Sequence, residues 1–177
     1  LIEEERRKID QLLLNILPEE IAQELKASGQ ATPKHYNSAT VLFTDFKGFT
    51  ALSEQLTPQE LVAEINLCFS AFDRIMEKYG VEKIKTIGDA YMAAGGLPVP
   101  NETHAHNVVS AALDIQEFMD AWSNERRLEG QPFFEIRIGV HTGSVVAGIV
   151  GIKKFQYDIW GDTVNTAARL ESSGTEG

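Results

Sequence analysis

Two aspartates, Asp45 and Asp89, stand where apolar runs give way to turns. Asp45 follows Ala39-Thr-Val-Leu-Phe43, and Asp89 joins Gly88 between two short apolar stretches, 81–87 and 90–94. Carboxylates converging from neighbouring strand ends form a hard oxygen site suited to Mg²⁺, which keeps several waters and takes substrate phosphates as further ligands. Two such ions about 3.5–4 Å apart activate an attacking oxygen and neutralise a leaving phosphate. On spacing alone the plainer reading is favoured, with Asp45 a turn residue and Asp89 the occupant of a hairpin. A second pair, Asn165 and Arg169, lies four apart after Gly161 and would share one face of a helix. A guanidinium beside a phosphoryl group is suited to charge that develops in a transition state. Taken alone, the two would read as a helix-start residue and a solvated arginine.

The neighbouring residues change that balance. Phe43-Thr-Asp-Phe-Lys-Gly-Phe-Thr50, Lys83-Ile-Lys-Thr-Ile-Gly-Asp-Ala-Tyr-Met92 and Gln156-Tyr-Asp-Ile-Trp-Gly-Asp-Thr-Val-Asn-Thr-Ala-Ala-Arg169 occur together and in this order. The set resembles the catalytic domain of class III adenylyl and guanylyl cyclases, over roughly Ser38 to the end of the chain. The resemblance implies that Asp45 and Asp89 bind two Mg²⁺ or Mn²⁺ ions per active site, with the backbone carbonyl of Phe46 as a further ligand. It makes Lys85 and Asp158 the pair that reads the purine. Asn165 and Arg169 become the pair that positions the ribose and stabilises the pentavalent phosphate. It also implies a homodimer in which each site takes its metal carboxylates from one protomer and the other four residues from the partner.

The purine can be judged on hydrogen bonding. Adenine offers an acceptor at N1 and a donor at its exocyclic amine, matching a lysine that donates and an aspartate that accepts. Guanine reverses both, and each buried mismatch costs roughly 1–3 kcal/mol, so two give about 30-fold to over 10⁴-fold discrimination. The guanylyl branch usually carries glutamate and cysteine at these positions, and this chain carries neither. The expected substrate is therefore ATP, converted to 3′,5′-cyclic AMP and pyrophosphate by attack of the ribose 3′-oxygen on the α-phosphorus. A guanylyl or dual-specificity cyclase is the alternative within enzymes; a catalytically silent nucleotide-binding regulatory domain is the alternative outside them. Lys83 falls on the same nominal strand face as Lys85; Lys85 is preferred because it directly precedes Thr-Ile-Gly-Asp.

These groups need a scaffold to hold them. Residues 1–17 read as an exposed helix, with Ile2, Ile9 and Ile16 at seven-residue intervals and Leu12 offset between them. Pro18 starts a second helix that stops at Gly29, giving an N-terminal connector over 1–29, a linker over 30–37 and the catalytic domain over 38–177. Thr57-Pro58-Gln59-Glu60 is a capping box opening a helix that ends at Gly80. A second long helix is expected from about Thr103 to Trp122. Strands are expected around 134–140 and 145–150, and a final helix over 162–171. The order predicts an α+β fold, a ferredoxin-like antiparallel sheet with helices on one face and a signalling helix in front. Among the histidines, His104 and His106 are too poorly spaced for a shared metal and read as exposed polar residues; Cys68 falls in an apolar helix stripe and reads as core.

Composition bounds the rest. Hydrophobic residues make up 43% of the 177 and one cysteine is present, so a core without disulfides is expected. The net charge of −10 argues against nucleic acid as partner and requires metal ions or a local basic cluster to admit a triphosphate. The longest apolar run, Val145 to Ile152, is too short to span a bilayer. The chain begins at Leu1 and reads as a piece of a longer protein, on the cytoplasmic side, with an upstream sensory or membrane domain. Relatives continue beyond the position of Gly177 with strands carrying a triphosphate-binding lysine, so the catalytic domain is expected to be C-terminally incomplete. Ser144 stands where many relatives carry a phosphate-contacting arginine.

Overall fold

Thr57 caps the longest segment of the first helical layer as its spacing predicts. Its hydroxyl accepts from the Glu60 N–H at 3.2 Å, and the Glu60 carboxylate accepts from the Thr57 N–H at 2.9 Å. The computed structural model describes residues 1–151 and 153–177; Ile152, at the end of the longest apolar run, lies outside the described residues. In chain order the elements are α1 (Ile2–Leu14), α2 (Glu19–Ser28), β1 (Lys34–Lys47), α3 (Phe49–Gln55), α4 (Pro58–Tyr79), β2 (Glu82–Ile87), β3 (Ala90–Gly95), α5 (His104–Leu128), β4 (Glu135–Val150), β5 (Gln156–Trp160) and α6 (Asp162–Ser173). Five strands form one antiparallel sheet in the order β2-β3-β1-β4-β5.

The two faces are covered differently from the expectation of helices on one side only. On one face α4 and α5 bury Cys68, Phe72, Met76, Val108, Ile115 and Met119 against Leu42, Phe46, Tyr91 and Ile136 of the sheet. On the other, Ala167 of α6 joins Ala22 of α2 and Leu17 against Val41, Met92, Val145, Tyr157 and Ile159. Burial of side chains this size, at about 1.5–3 kcal/mol each, supplies the driving force on both sides. α5 runs six residues past Trp122 because its end is tied down by polar contacts. Arg126 donates to Glu64 at 2.8 Å and to the Pro132 carbonyl at 2.9 Å, and the Trp122 indole donates to Glu64 at 3.1 Å.

Three further differences concern the sheet. The two strands expected around 134–140 and 145–150 are one continuous strand, β4, so no hairpin interrupts Gly143-Ser144. β1 begins at Lys34, inside the segment expected to be a linker, and a bulge between Tyr36 and Ala39 resets its register so that pairing continues to Tyr36 and Val145. β5 was not foreseen, because Tyr157-Asp-Ile-Trp160 is too short to show a period of its own. The far half of the sheet curls until β5 stands beside β2, although the two lie at opposite ends of the strand order.

Gly139 lets α6 sit directly on β4. A Cβ there would lie 2.2 Å from the Glu171 nitrogen and 2.6 Å from the Ala167 carbonyl oxygen, both main-chain atoms that cannot rotate away. Gly139→Ala is therefore expected to cost about 3 kcal/mol, the upper end for overpacking, read as a lowered urea midpoint with unchanged slope. A midpoint equal to that of the parent would show that α6 is not seated there.

Candidate active site

Asp45 is the third residue from the end of β1, and Asp89 sits in the turn joining β2 to β3. β1 pairs with β3, so the turn lies beside the end of β1, and the Phe46 N–H donates to the Asp89 carboxylate at 3.2 Å. The backbone is held at this point by the Phe46 ring, which is 4% exposed and stacks 4.1 Å from Phe134 and 6.0 Å from Phe69. Phe46 is thus an anchor as well as a main-chain ligand candidate. The donor set fits Mg²⁺: two partly exposed hard carboxylates on a rigid strand end, with a main-chain carbonyl between them in sequence. Among the described residues no cluster of three or more His, Cys, Asp or Glu side chains is arranged to hold an ion, so water and substrate phosphates would have to complete the shell.

Asp45 already has a cationic partner. Arg137, its cross-strand neighbour on β4, donates from Nε to Oδ1 at 2.9 Å and from Nη2 to Oδ2 at 2.6 Å. Glu171 of α6 lies on the far side, its Oε1 3.6 Å from Arg137 Nε and without a hydrogen-bond partner. Burial raises the Asp45 pKa, but hydrogen bonds with Arg137 and Glu171 and the Arg137 charge together outweigh it and hold Asp45 below the usual carboxylate range. Burial pushes Glu171 the other way, reinforced by the hydrogen bond and charge of Asp45. Of the two neighbouring carboxyls, Asp45 is the ionised one. Arg137 and Glu171 were not singled out from sequence. The available signals were the place of Arg137 on an alternating strand and of Glu171 two residues after Arg169, neither of which reveals a neighbour more than 90 residues away.

Lys85 and Asp158 meet across the curled sheet, Nζ to Oδ2 at 2.7 Å, with the Asp158 side chain almost wholly buried. The other Asp158 oxygen accepts from the Ile159 N–H at 2.8 Å, which fixes the carboxylate plane. The choice between Lys83 and Lys85 is explained by a bulge at Ile84. Lys83 pairs opposite Ala93 and Lys85 opposite Met92, so the two lysines face opposite sides of the sheet. Lys83 goes to Asp73 on α4 at 3.0 Å and lies over the Tyr91 ring.

Asn165 and Arg169 lie on the exposed face of α6, as their spacing implies. Arg169 makes its contacts within that helix, with Thr166 at 3.2 Å and Asp162 at 3.8 Å. The pair is not brought together with Asp45 or Lys85 in a single protomer's contacts. His104 departs from expectation: it is 8% exposed, its Nδ1 2.6 Å from the Thr40 hydroxyl and its Nε2 3.2 Å from that of Ser38. Cys68 is core as expected, its thiol pushed up to about 12 by burial.

Residues 31–177 match the family described as the adenylate and guanylate cyclase catalytic domain. The chain belongs to that family. The assignment holds for the class III domain resembled by its motifs, and its antiparallel α+β fold is the cyclase fold. Atrial natriuretic peptide receptor 2 of Homo sapiens is 42% identical over 172 residues, 97% of this chain and 16% of that protein. Guanylyl cyclase C of Homo sapiens is 44% identical over 171 residues, 96% of this chain and 16% of the relative. The chain thus spans about a sixth of these curated relatives. Among solved structures, the catalytic core of a rhodopsin-guanylyl cyclase with converted specificity, in complex with ATPαS, superposes with a TM-score of 0.74 at 37% identity, covering 81% of this chain and 76% of that one. No helix among the described residues of this cyclase domain is long and apolar enough to cross a membrane.

Proposed function

We propose that this cyclase domain makes 3′,5′-cyclic AMP and pyrophosphate from ATP, at two equivalent sites shared between the protomers of a homodimer. The observation that carries the choice of purine is the Lys85–Asp158 pair, a buried donor and acceptor 2.7 Å apart. Adenine separates them, taking the lysine proton at N1 and giving its amine proton to the carboxylate. The likeness to a converted-specificity cyclase core holding ATPαS supports the compatibility of such a scaffold with an adenine nucleotide.

Asp45, Asp89 and the Phe46 carbonyl would hold two Mg²⁺ or Mn²⁺ ions. When bound, these ions lower the pKa of the ribose 3′-hydroxyl and neutralise the phosphates. Asn165 orients the ribose, and Arg169 donates to the α-phosphoryl oxygens as charge builds there. No histidine or glutamate of the three motifs is suited to serve as a dedicated base, so the 3′-proton leaves to solvent or to the substrate phosphates. Asn165 and Arg169 reach the substrate from the partner protomer, which accounts for their exposure on α6 and for their distance from the carboxylates in one chain. Ile2, Ile9, Leu12 and Ile16 are all exposed along α1 and the segment after it, and they form the connector by which an upstream domain sets the dimer geometry.

Guanylyl cyclase C, 44% identical, favours a second reading with GTP as substrate. Side-by-side turnover of ATP and GTP with Mg²⁺ or Mn²⁺ decides between them. A kcat/KM ratio of at least about 30 in favour of ATP is expected from two buried mismatches; a ratio favouring GTP would overturn the purine assignment.

A further inference from the structure

The orphaned oxygen of Glu171 and the paired guanidinium of Arg137 belong to one device. A buried carboxylate oxygen without a partner is uncommon and calls for a physical reason. Here it lies 3.6 Å from an N–H of Arg137 that is donating to Asp45 instead. Arg137 is held at a third point, Nη1 to the Ser172 carbonyl at 3.3 Å, near the end of α6, where carbonyls favour a cation.

We infer that Arg137 is a positioning residue with two stations. Without a divalent cation it rests on Asp45, and when Asp45 takes a cation its guanidinium turns about the Ser172 contact onto Glu171 Oε1. The inference rests on Asp45 being a metal ligand. Both Asp45 oxygens are engaged by the fork, in two parallel hydrogen bonds that compete with an ion for the same lone pairs. Opposed to that competition, a nearby acceptor lowers the cost of moving the guanidinium, since no buried donor is left unpaired. A carboxyl oxygen accepts a hydrogen bond whether or not its companion oxygen holds a proton, so the second station does not depend on the charge of Glu171. The stand-in cation also keeps Asp45, Asp89 and Glu171 from facing one another unneutralised in the empty site.

The test is binding of Mn²⁺ alone to the 177-residue chain, followed by the electron paramagnetic resonance signal of free Mn²⁺. Glu171→Leu removes the second station and is expected to weaken binding about 10-fold, the scale of a lost group behind a metal ligand. Arg137→Met removes the competitor and is expected to tighten binding by a similar factor. In the double variant the Glu171 effect is expected to vanish, because nothing is left to relocate. Unchanged binding in Glu171→Leu, or weaker binding in Arg137→Met, overturns the inference. If Arg137→Met does not fold, as judged by circular dichroism, Glu171→Leu decides alone. Asp45→Asn is the control for the premise. Retained Mn²⁺ binding in that variant would remove Asp45 as a ligand and the inference with it. Lost binding there with unchanged Glu171→Leu would overturn the two-station device alone.

Discussion

Mixing Asp45→Asn protein with Arg169→Ala protein is expected to restore cyclic nucleotide synthesis that neither makes alone. Each single variant carries its defect into both sites of its homodimer. Each should lose roughly 10³-fold in kcat, the scale seen when one preorganised charge-stabilising group is removed. In a mixed dimer one site collects both defects and the other collects none, because Asp45 and Arg169 of a protomer serve different sites. Random pairing of equal amounts leaves half the dimers mixed, so activity should recover to about a quarter of the parent value. The exposure of Arg169, with its contacts confined to α6, motivates the experiment. Activity that stays at the single-variant level after subunit exchange would show that the two residues serve one protomer's site, or that Arg169 serves none.

The second large effect concerns the purine. Lys85→Glu combined with Asp158→Cys is expected to invert preference from ATP to GTP. Glutamate accepts where lysine donated, and cysteine relieves the clash between Asp158 and the guanine carbonyl. Two reversed contacts at roughly 1–3 kcal/mol each move the ratio of kcat/KM values by at least about 30-fold. Lys85→Glu alone should lose both substrates, since it sets a carboxylate against the buried Asp158 at ion-pair distance. An unchanged ATP preference in the double variant would mean that the base is read elsewhere.

Much of the scaffold was legible from local rules. The Thr57–Glu60 box and the αL glycine at Gly80 bound α4 as expected, because both ends are set by hydrogen bonds within a few residues. Gly88-Asp89 joins β2 to β3 for a similar reason. The strands Phe134–Val140 and Val145–Val150 were legible as strands but not as one. A glycine at 143 looks like a turn until Thr163 of α6 is seen packed where its side chain would be. His104 was taken for a surface residue because nothing in its neighbourhood along the chain foretells the hydroxyls of Ser38 and Thr40 above and below it.

The amino-acid sequence by itself determined the family and which side chains bear on the chemistry, since residue types at fixed short spacings survive any uncertainty in packing. It left Lys83 and Lys85 equivalent. Tertiary structure decided between them through one bulged residue, which turns Lys83 toward Asp73 and Lys85 toward Asp158. It also supplied Arg137 and Glu171 beside Asp45, a meeting of β1, β4 and α6. Strand register and the curl of a sheet are set by contacts between distant segments, and a period read along one segment does not contain them.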